Sequence, residues 1–207
     1  MPMPTMRDGD AYKHLGVSIG LRMHQSAEDE MKQLSSDLRS IHNSLLAPWQ
    51  KVDAVSTFLL PRLTFHFTNG DVPKRPLNDF DKELKRCAKE WLHVDQRASP
   101  ELVYLGNRMG GLNLLPLRVL YDICTVAGAT KLLHSRDPAI AKLAQLGLID
   151  AAEKRARGRK LTPDQVAQWT NGSLDENIFT NYTIDQASLW TALRSASSRL
   201  GKSIPQF

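Results

Sequence analysis

Apolar side chains recur at intervals of three and four through most of this chain, and proline or glycine punctuates each run. That spacing puts one apolar stripe on a helix, whereas the two faces of a strand alternate every second residue. The chain is therefore expected to be mainly α. Met31, Leu34, Leu38, Ile41 and Leu45 form the first stripe, behind a Ser26 to Asp29 spacing that resembles a helix-capping arrangement. This helix stops before Pro48, which opens a second one through Trp49, Val52, Val55, Leu59 and Leu63 that Pro61 kinks or ends. After a loop over 69–76, Leu77, Phe80, Leu84, Cys87 and Trp91 mark a third helix.

Two segments break the helical pattern. Tyr12 to Leu21 alternates loosely and contains two glycines, which predicts a short strand or hairpin arm. Leu102-Val103-Tyr104-Leu105-Gly106 and Leu112-Asn113-Leu114-Leu115 flank Met109-Gly110-Gly111, which predicts a small hairpin. Pro116 then opens a fourth helix, apolar on much of its surface through Leu117, Leu120, Ile123, Cys124, Ala127 and Leu132 and expected to be the most buried element. Asp137-Pro138 starts a fifth helix running to about Leu148, and Thr162-Pro163-Asp164 starts a short one closed by Asn171-Gly172. A last helix spans roughly 184–200 with Gly201 as its stop. The fold class predicted is a mainly α helical bundle with one or two short β-hairpins and an appended C-terminal helical part. Its expected divisions are a disordered tail over 1–10, a hairpin arm over 11–24, a helical domain over 25–135 and a linker-like helical region over 136–207.

The apolar share of 42% and charged share of 24% in 207 residues are those of an ordinary soluble globular protein. No apolar run approaches the roughly 18–20 residues that span a bilayer, so no membrane partner is expected. The first residues carry no apolar segment of a secretory signal, which makes an intracellular location, nuclear or cytoplasmic, the expectation. Cys87 and Cys124 both sit in apolar helical phase, where a buried small hydrophobe is a commoner reading than a disulfide or metal pair.

Catalytic chemistry finds little to use. Two-metal phosphoryl transfer needs carboxylates close enough to hold both cations, and no Asp-Asp pair occurs. Asp8-Gly9-Asp10 falls in the tail, and Glu28-Asp29-Glu30 sits in a first helical turn, where acids complement the dipole. The six histidines are scattered without zinc-ligand spacing, and neither a phosphate-binding glycine loop nor a nucleophile elbow is present. No cofactor or metal is expected, and the chain is not expected to be an enzyme by itself.

Cations are the remaining candidates. The net charge of +5 permits attraction to phosphates. Lys82, Lys85, Arg86 and Lys89 recur at helical spacing opposite the Leu84, Cys87 and Trp91 stripe, either as a solvated face or as a phosphate-binding one. Lys154, Arg155, Arg157, Arg159 and Lys160 form the densest basic run, read as a linker or a helix end. Trp49 and Trp91, at helical core spacing, are assigned to packing rather than to base stacking.

Short motifs then fall in a recognisable order. Tyr12-Lys13-His14-Leu15-Gly16-Val17 is followed by Pro48-Trp49-Gln50-Lys51-Val52, by Phe58-Leu59-Leu60-Pro61-Arg62-Leu63, by Lys89-Glu90-Trp91-Leu92 and by Gly110-Gly111-Leu112. This series resembles the segment after the palm in non-LTR retrotransposon reverse transcriptases of the type that inserts into ribosomal RNA genes. The residues after Asp137 are similar more loosely, through Thr162-Pro163-Asp164, Asn171-Gly172 and Leu189-Trp190. The resemblance implies that the first motif is the hairpin holding the primer end, the helices after it a thumb, and the rest a linker. It further implies an RNA–DNA hybrid or other nucleic acid as partner, held through backbone phosphates, and the remaining reverse transcriptase domains as partners in a longer chain. Lys13 and His14 join the two cationic groups as expected nucleic-acid contacts. The competing expectation is a helical structural or protein-interaction remnant with no nucleic-acid role.

Overall fold

The computed structural model describes residues 12–14, 17–19, 27–69, 72, 74–172, 178–179 and 188–203. The architecture is mainly helical, and the chain divides into two compact units, Met1–Leu120 and Tyr121–Phe207. The division falls inside a helix, upstream of the 135/136 boundary expected from the order of the predicted helices. The predicted tail over 1–10 lies outside the described residues.

In the first unit, β1 (Tyr12–His14) pairs antiparallel with β2 (Val17–Ile19), His14 opposite Val17. Helix α1 (Glu28–Asn43) buries Met31, Leu34 and Leu38, the first part of the predicted stripe. Leu45 lies beyond the helix end and is fully exposed, so it leaves that stripe. Ser26 lies outside the described residues, and the residue at the N-cap is Ala27, which makes no side-chain capping bond.

The next helical path runs unbroken past Pro61. It begins as α2 (Pro48–Ala54), widens into a π turn over Val55–Leu59, tightens into a 3-10 turn over Leu60–Leu63 and resumes as α3 (Thr64–Asn69). Proline has no N–H, and in a regular helix its ring collides with the carbonyl four residues back. Here the wide turn takes up that conflict: Leu60 N–H donates to the Val55 carbonyl, five residues back. Val55, Leu59, Leu60, Leu63 and Phe67 consequently all face the core. Trp49, expected among them, is 69% exposed, because its turn precedes the phase shift.

Helix α4 (Lys74–Trp91) contributes Leu77, Phe80, Leu84, Cys87, Ala88 and Trp91 to the core and packs along α1. The predicted hairpin over 101–115 is instead a short helix, α5 (Glu101–Tyr104), a 3-10 turn over Asn107–Met109 and an extended return. The return pairs with the helix carbonyls, Leu112 N–H donating to Leu102 O and Leu114 N–H to Val103 O, 3.1 Å each. This pairing explains why the residues read like a hairpin. Gly110 adopts φ 82°, and a Cβ on Gly111 would collide with the Leu105 carbonyl, so the turn needs both glycines.

Helix α6 (Leu117–Leu133) crosses the division. It is not the most buried element. Ile123, Ala127 and Leu132 are exposed, and α4 buries more side chains. Its first turn is capped from α4: Asp81 accepts from Leu117 N–H at 2.7 Å and from Arg118 N–H at 3.2 Å. Burial nonetheless outweighs these bonds and raises the Asp81 carboxyl above its ordinary value.

In the second unit, α7 (Pro138–Arg155) starts on Asp137, whose carboxylate accepts from Ala139 N–H at 2.8 Å. Helix α8 (Pro163–Thr170) opens with a capping box in which Thr162 and Gln165 exchange bonds. Helix α9 (Leu189–Ser203) runs through Gly201, the expected stop. Residues 184–187, expected to begin it, lie outside the described residues. Trp169, fully buried, centres a core with Ala152, Ala156, Val166 and Phe179. Between α6 and α9, Arg199 donates side-on to Asp122, Nε to Oδ2 at 2.8 Å and Nη2 to Oδ1.

Candidate nucleic-acid interface

The α4 cations occupy the side opposite the apolar stripe, as helical spacing dictates, but they are not equivalent. Lys82 is exposed and lies 3.2 Å from Asp79. Lys85 is half-exposed and has no ion-pair partner within bonding distance among the described residues. Arg86 donates to Glu90 Oε1 at 2.9 Å, and the other Glu90 oxygen lies 3.4 Å from His42 Nε2. His42 Nδ1 in turn accepts the Trp91 indole N–H at 3.1 Å, so the Arg86 end of the face is anchored to α1.

Lys89 does not belong to this surface. It is 3% exposed, and its ammonium donates to the carbonyls of Gln96 (2.8 Å) and Ala98. The chain turns at His93, φ 54°, and folds back over the last turn of α4, covering a position that helical phase alone makes outward-facing. Its charge instead satisfies two loop carbonyls beside the helix C-terminus, where a cation is favourable. Spacing cannot reveal this, because the covering segment lies outside the helix.

The second basic run straddles a helix end. Lys154 and Arg155 are in the last turn of α7, while Arg157, Arg159 and Lys160 lie in the turn toward α8. Lys154 is paired with Asp150 at 2.7 Å and Lys160 with Glu153 at 3.0 Å. Arg157 and Arg159 are exposed and have no ion-pair partner among the described residues. The side chains of Lys13 and His14 lie outside the described residues. Exposed arginines outside the expected cationic groups include Arg97, Arg108, Arg118 and Arg136, isolated in the sequence and so without a periodic signal.

Other chemistries gain no support from the described residues. No group of three His, Cys, Asp or Glu among them is placed to hold a metal ion, and no helix is long and apolar enough to cross a membrane. Both thiols are free and buried, and burial raises them above the ordinary cysteine value, which disfavours the reactive thiolate.

No protein-family model matches the chain. It is 29% identical over 172 residues to an uncharacterized protein of Caenorhabditis elegans, a match covering 82% of this chain and 49% of the relative. It is 28% identical over 116 residues to a retrovirus-related Pol polyprotein from the type-1 retrotransposable element R2 of Popillia japonica, covering 56% of this chain and 16% of that protein. With the corresponding polyprotein from the type-2 element R2DM of Drosophila melanogaster it shares 24% identity over 164 residues, 77% of this chain and 15% of the relative. Part of the chain is thus similar to R2 retrotransposon Pol polyproteins, and it spans half or less of each of these relatives.

Proposed function

We propose that this chain is the thumb and linker region that follows the palm in a retrotransposon-type reverse transcriptase, and that it grips a template-primer duplex through backbone phosphates. The observation that carries the reading is the outward face of α4, where Lys85 has no ion-pair partner among the described residues and Lys82 and Arg86 stand in exposed pairs with Asp79 and Glu90 that a phosphate can displace, all opposite a buried stripe, in a chain similar to Pol polyproteins. A rigid helix with its apolar side fixed in a core holds cations at a constant spacing, which is what repeated phosphate contacts require. An RNA–DNA hybrid resembles A-form, whose wide, shallow minor groove is recognised by shape and 2′-hydroxyls. Binding is therefore insensitive to sequence and sensitive to salt.

The test is a fluorescence-anisotropy titration of the chain with a labelled RNA–DNA hybrid and matched single strands across a salt series. The logarithm of affinity should fall linearly with that of salt, and Lys82→Gln with Lys85→Gln should reduce the slope by about 0.7–0.9 per contact removed. Absence of hybrid binding at low salt refutes the reading.

A second reading, a helical module that binds protein and has no nucleic-acid role, draws on α7. Leu143 is 69% exposed there, and Ile140, Leu146 and Ile149 are exposed beside it. Retained folding with no hybrid binding would favour it.

A further inference from the structure

The end of α7 is built like a glycine-terminated helix but carries an arginine where the glycine belongs. Gly158 N–H donates to the Glu153 carbonyl at 2.8 Å and Arg157 N–H to the Lys154 carbonyl at 3.2 Å, the paired bonds of a Schellman cap. In that cap the first residue past the helix takes the left-handed conformation, which is sterically cheap for glycine and costly for a side chain with a Cβ. Arg157 nevertheless holds φ 57°, and Gly158 follows at φ 77°. The Arg157 side chain is exposed, and its guanidinium has no ion-pair or hydrogen-bond partner among the described residues.

The surrounding charges sort the basic run. Lys154 and Lys160 are engaged with Asp150 and Glu153, which ties them to the helix and the turn. Arg157 and Arg159, separated by a glycine in a tight turn, stay exposed and unengaged among the described residues. Strain held in the backbone where a relaxed alternative is one substitution away points to a role for the side chain.

We infer that Arg157 and Arg159 form a two-pronged phosphate clamp on the bound nucleic acid, and that the left-handed backbone at Arg157 is maintained for that clamp against the stability of the fold. This rests on the reading of the chain as a duplex-binding region and assigns it a contact separate from the α4 face. Guanidinium groups suit the task, since each presents planar paired donors to phosphate oxygens.

Arg157→Gly makes the test sharp, because it removes the guanidinium and supplies the residue the cap prefers. The full chain and its Arg157→Gly, Arg159→Gln and Lys154→Gln variants are titrated with a labelled RNA–DNA hybrid over a salt series, and their thermal unfolding is recorded in parallel. Each arginine variant should bind about five- to eightfold more weakly near 0.1 M salt, with the salt slope lower by about 0.7–0.9. Lys154→Gln should change both by less than half as much. The melting midpoint of Arg157→Gly should rise by about 1–5 °C. If the parent binds and both arginine variants keep its affinity and slope, the clamp is refuted while duplex binding through α4 stands. A lower melting midpoint for Arg157→Gly refutes the trade-off, showing that the arginine serves the fold. If the parent fails to bind the hybrid at low salt, the duplex-binding reading falls and the clamp with it.

Discussion

Removing the Arg199 side chain should damage the second unit far more than removing its partner. Asp122 has a side-chain exposure of 4% and Arg199 one of 25%, so the pair is buried at its acidic end and open at its basic end. Arg199→Leu leaves a carboxylate in the interior without its charged partner, a loss of about 3–5 kcal/mol. Asp122→Asn leaves a guanidinium that reaches water, and the amide oxygen retains one acceptor, so the cost is about 1–2 kcal/mol. Asp122→Leu combined with Arg199→Leu removes both charges and should be less destabilised than Arg199→Leu alone. Amide exchange followed by mass spectrometry isolates peptides of α9, where protection in Arg199→Leu should fall by about two to three and a half orders of magnitude. Costs that are equal for the two single substitutions, or an Arg199→Leu cost under about 1 kcal/mol, would refute the argument from unequal burial.

Lys89→Met should destabilise the first unit by about 1.5–3 kcal/mol in urea unfolding, because the Gln96 and Ala98 carbonyls lose a charged donor. Lys82→Met, on the exposed face, should lie within about 0.5 kcal/mol of the parent, and equal costs for the two lysines would contradict the buried placement. Asp81 should titrate above the ordinary aspartate value, its burial outweighing the two capping bonds. For an acid raised in the folded state the contribution to stability is fully present below the unfolded value and is lost as pH rises through the folded one. Carbon-13 NMR of the carboxyl checks this, and a value at or below that of an exposed aspartate would show that the capping bonds dominate.

How much of this could be read from residues depended on how locally each feature is determined. Stripes such as Leu77, Phe80 and Leu84 mark α4 because a helix turns every 3.6 residues or so whatever surrounds it. Asp137-Pro138 and Thr162-Pro163 mark helix starts because the bonds they make lie within one turn. Features decided by distant chain were not legible. Lys89 has the phase of an exposed residue and is buried by a return loop, and Trp49 has the phase of a core residue and is exposed by a wide turn downstream. The return over 112–114 alternates like a strand, yet its partners are the carbonyls of a helical turn. In the candidate interface the periodic cations of α4 were visible in advance, but the ion pairs that separate Arg157 and Arg159 from their neighbours were not. The left-handed backbone at Arg157 had no signal at all, since an arginine there contradicts the preference on which a reader relies.

The wide turn at Val55–Leu59 has a consequence for how this stretch can change length. It holds one residue more than an α-helical turn, and that surplus brings Leu59, Leu63 and Phe67 round to the same side as Val55. Deleting Ser56 or Thr57 would restore an ordinary turn and rotate everything downstream by about 100°. Leucines would swing toward water, and Pro61 would again meet a carbonyl it cannot accommodate. Insertions and deletions among related chains are therefore expected in the connection around 44–47, with 48–69 inherited at constant length. The turn acts as a spacer whose count is fixed even where its residues are free to vary.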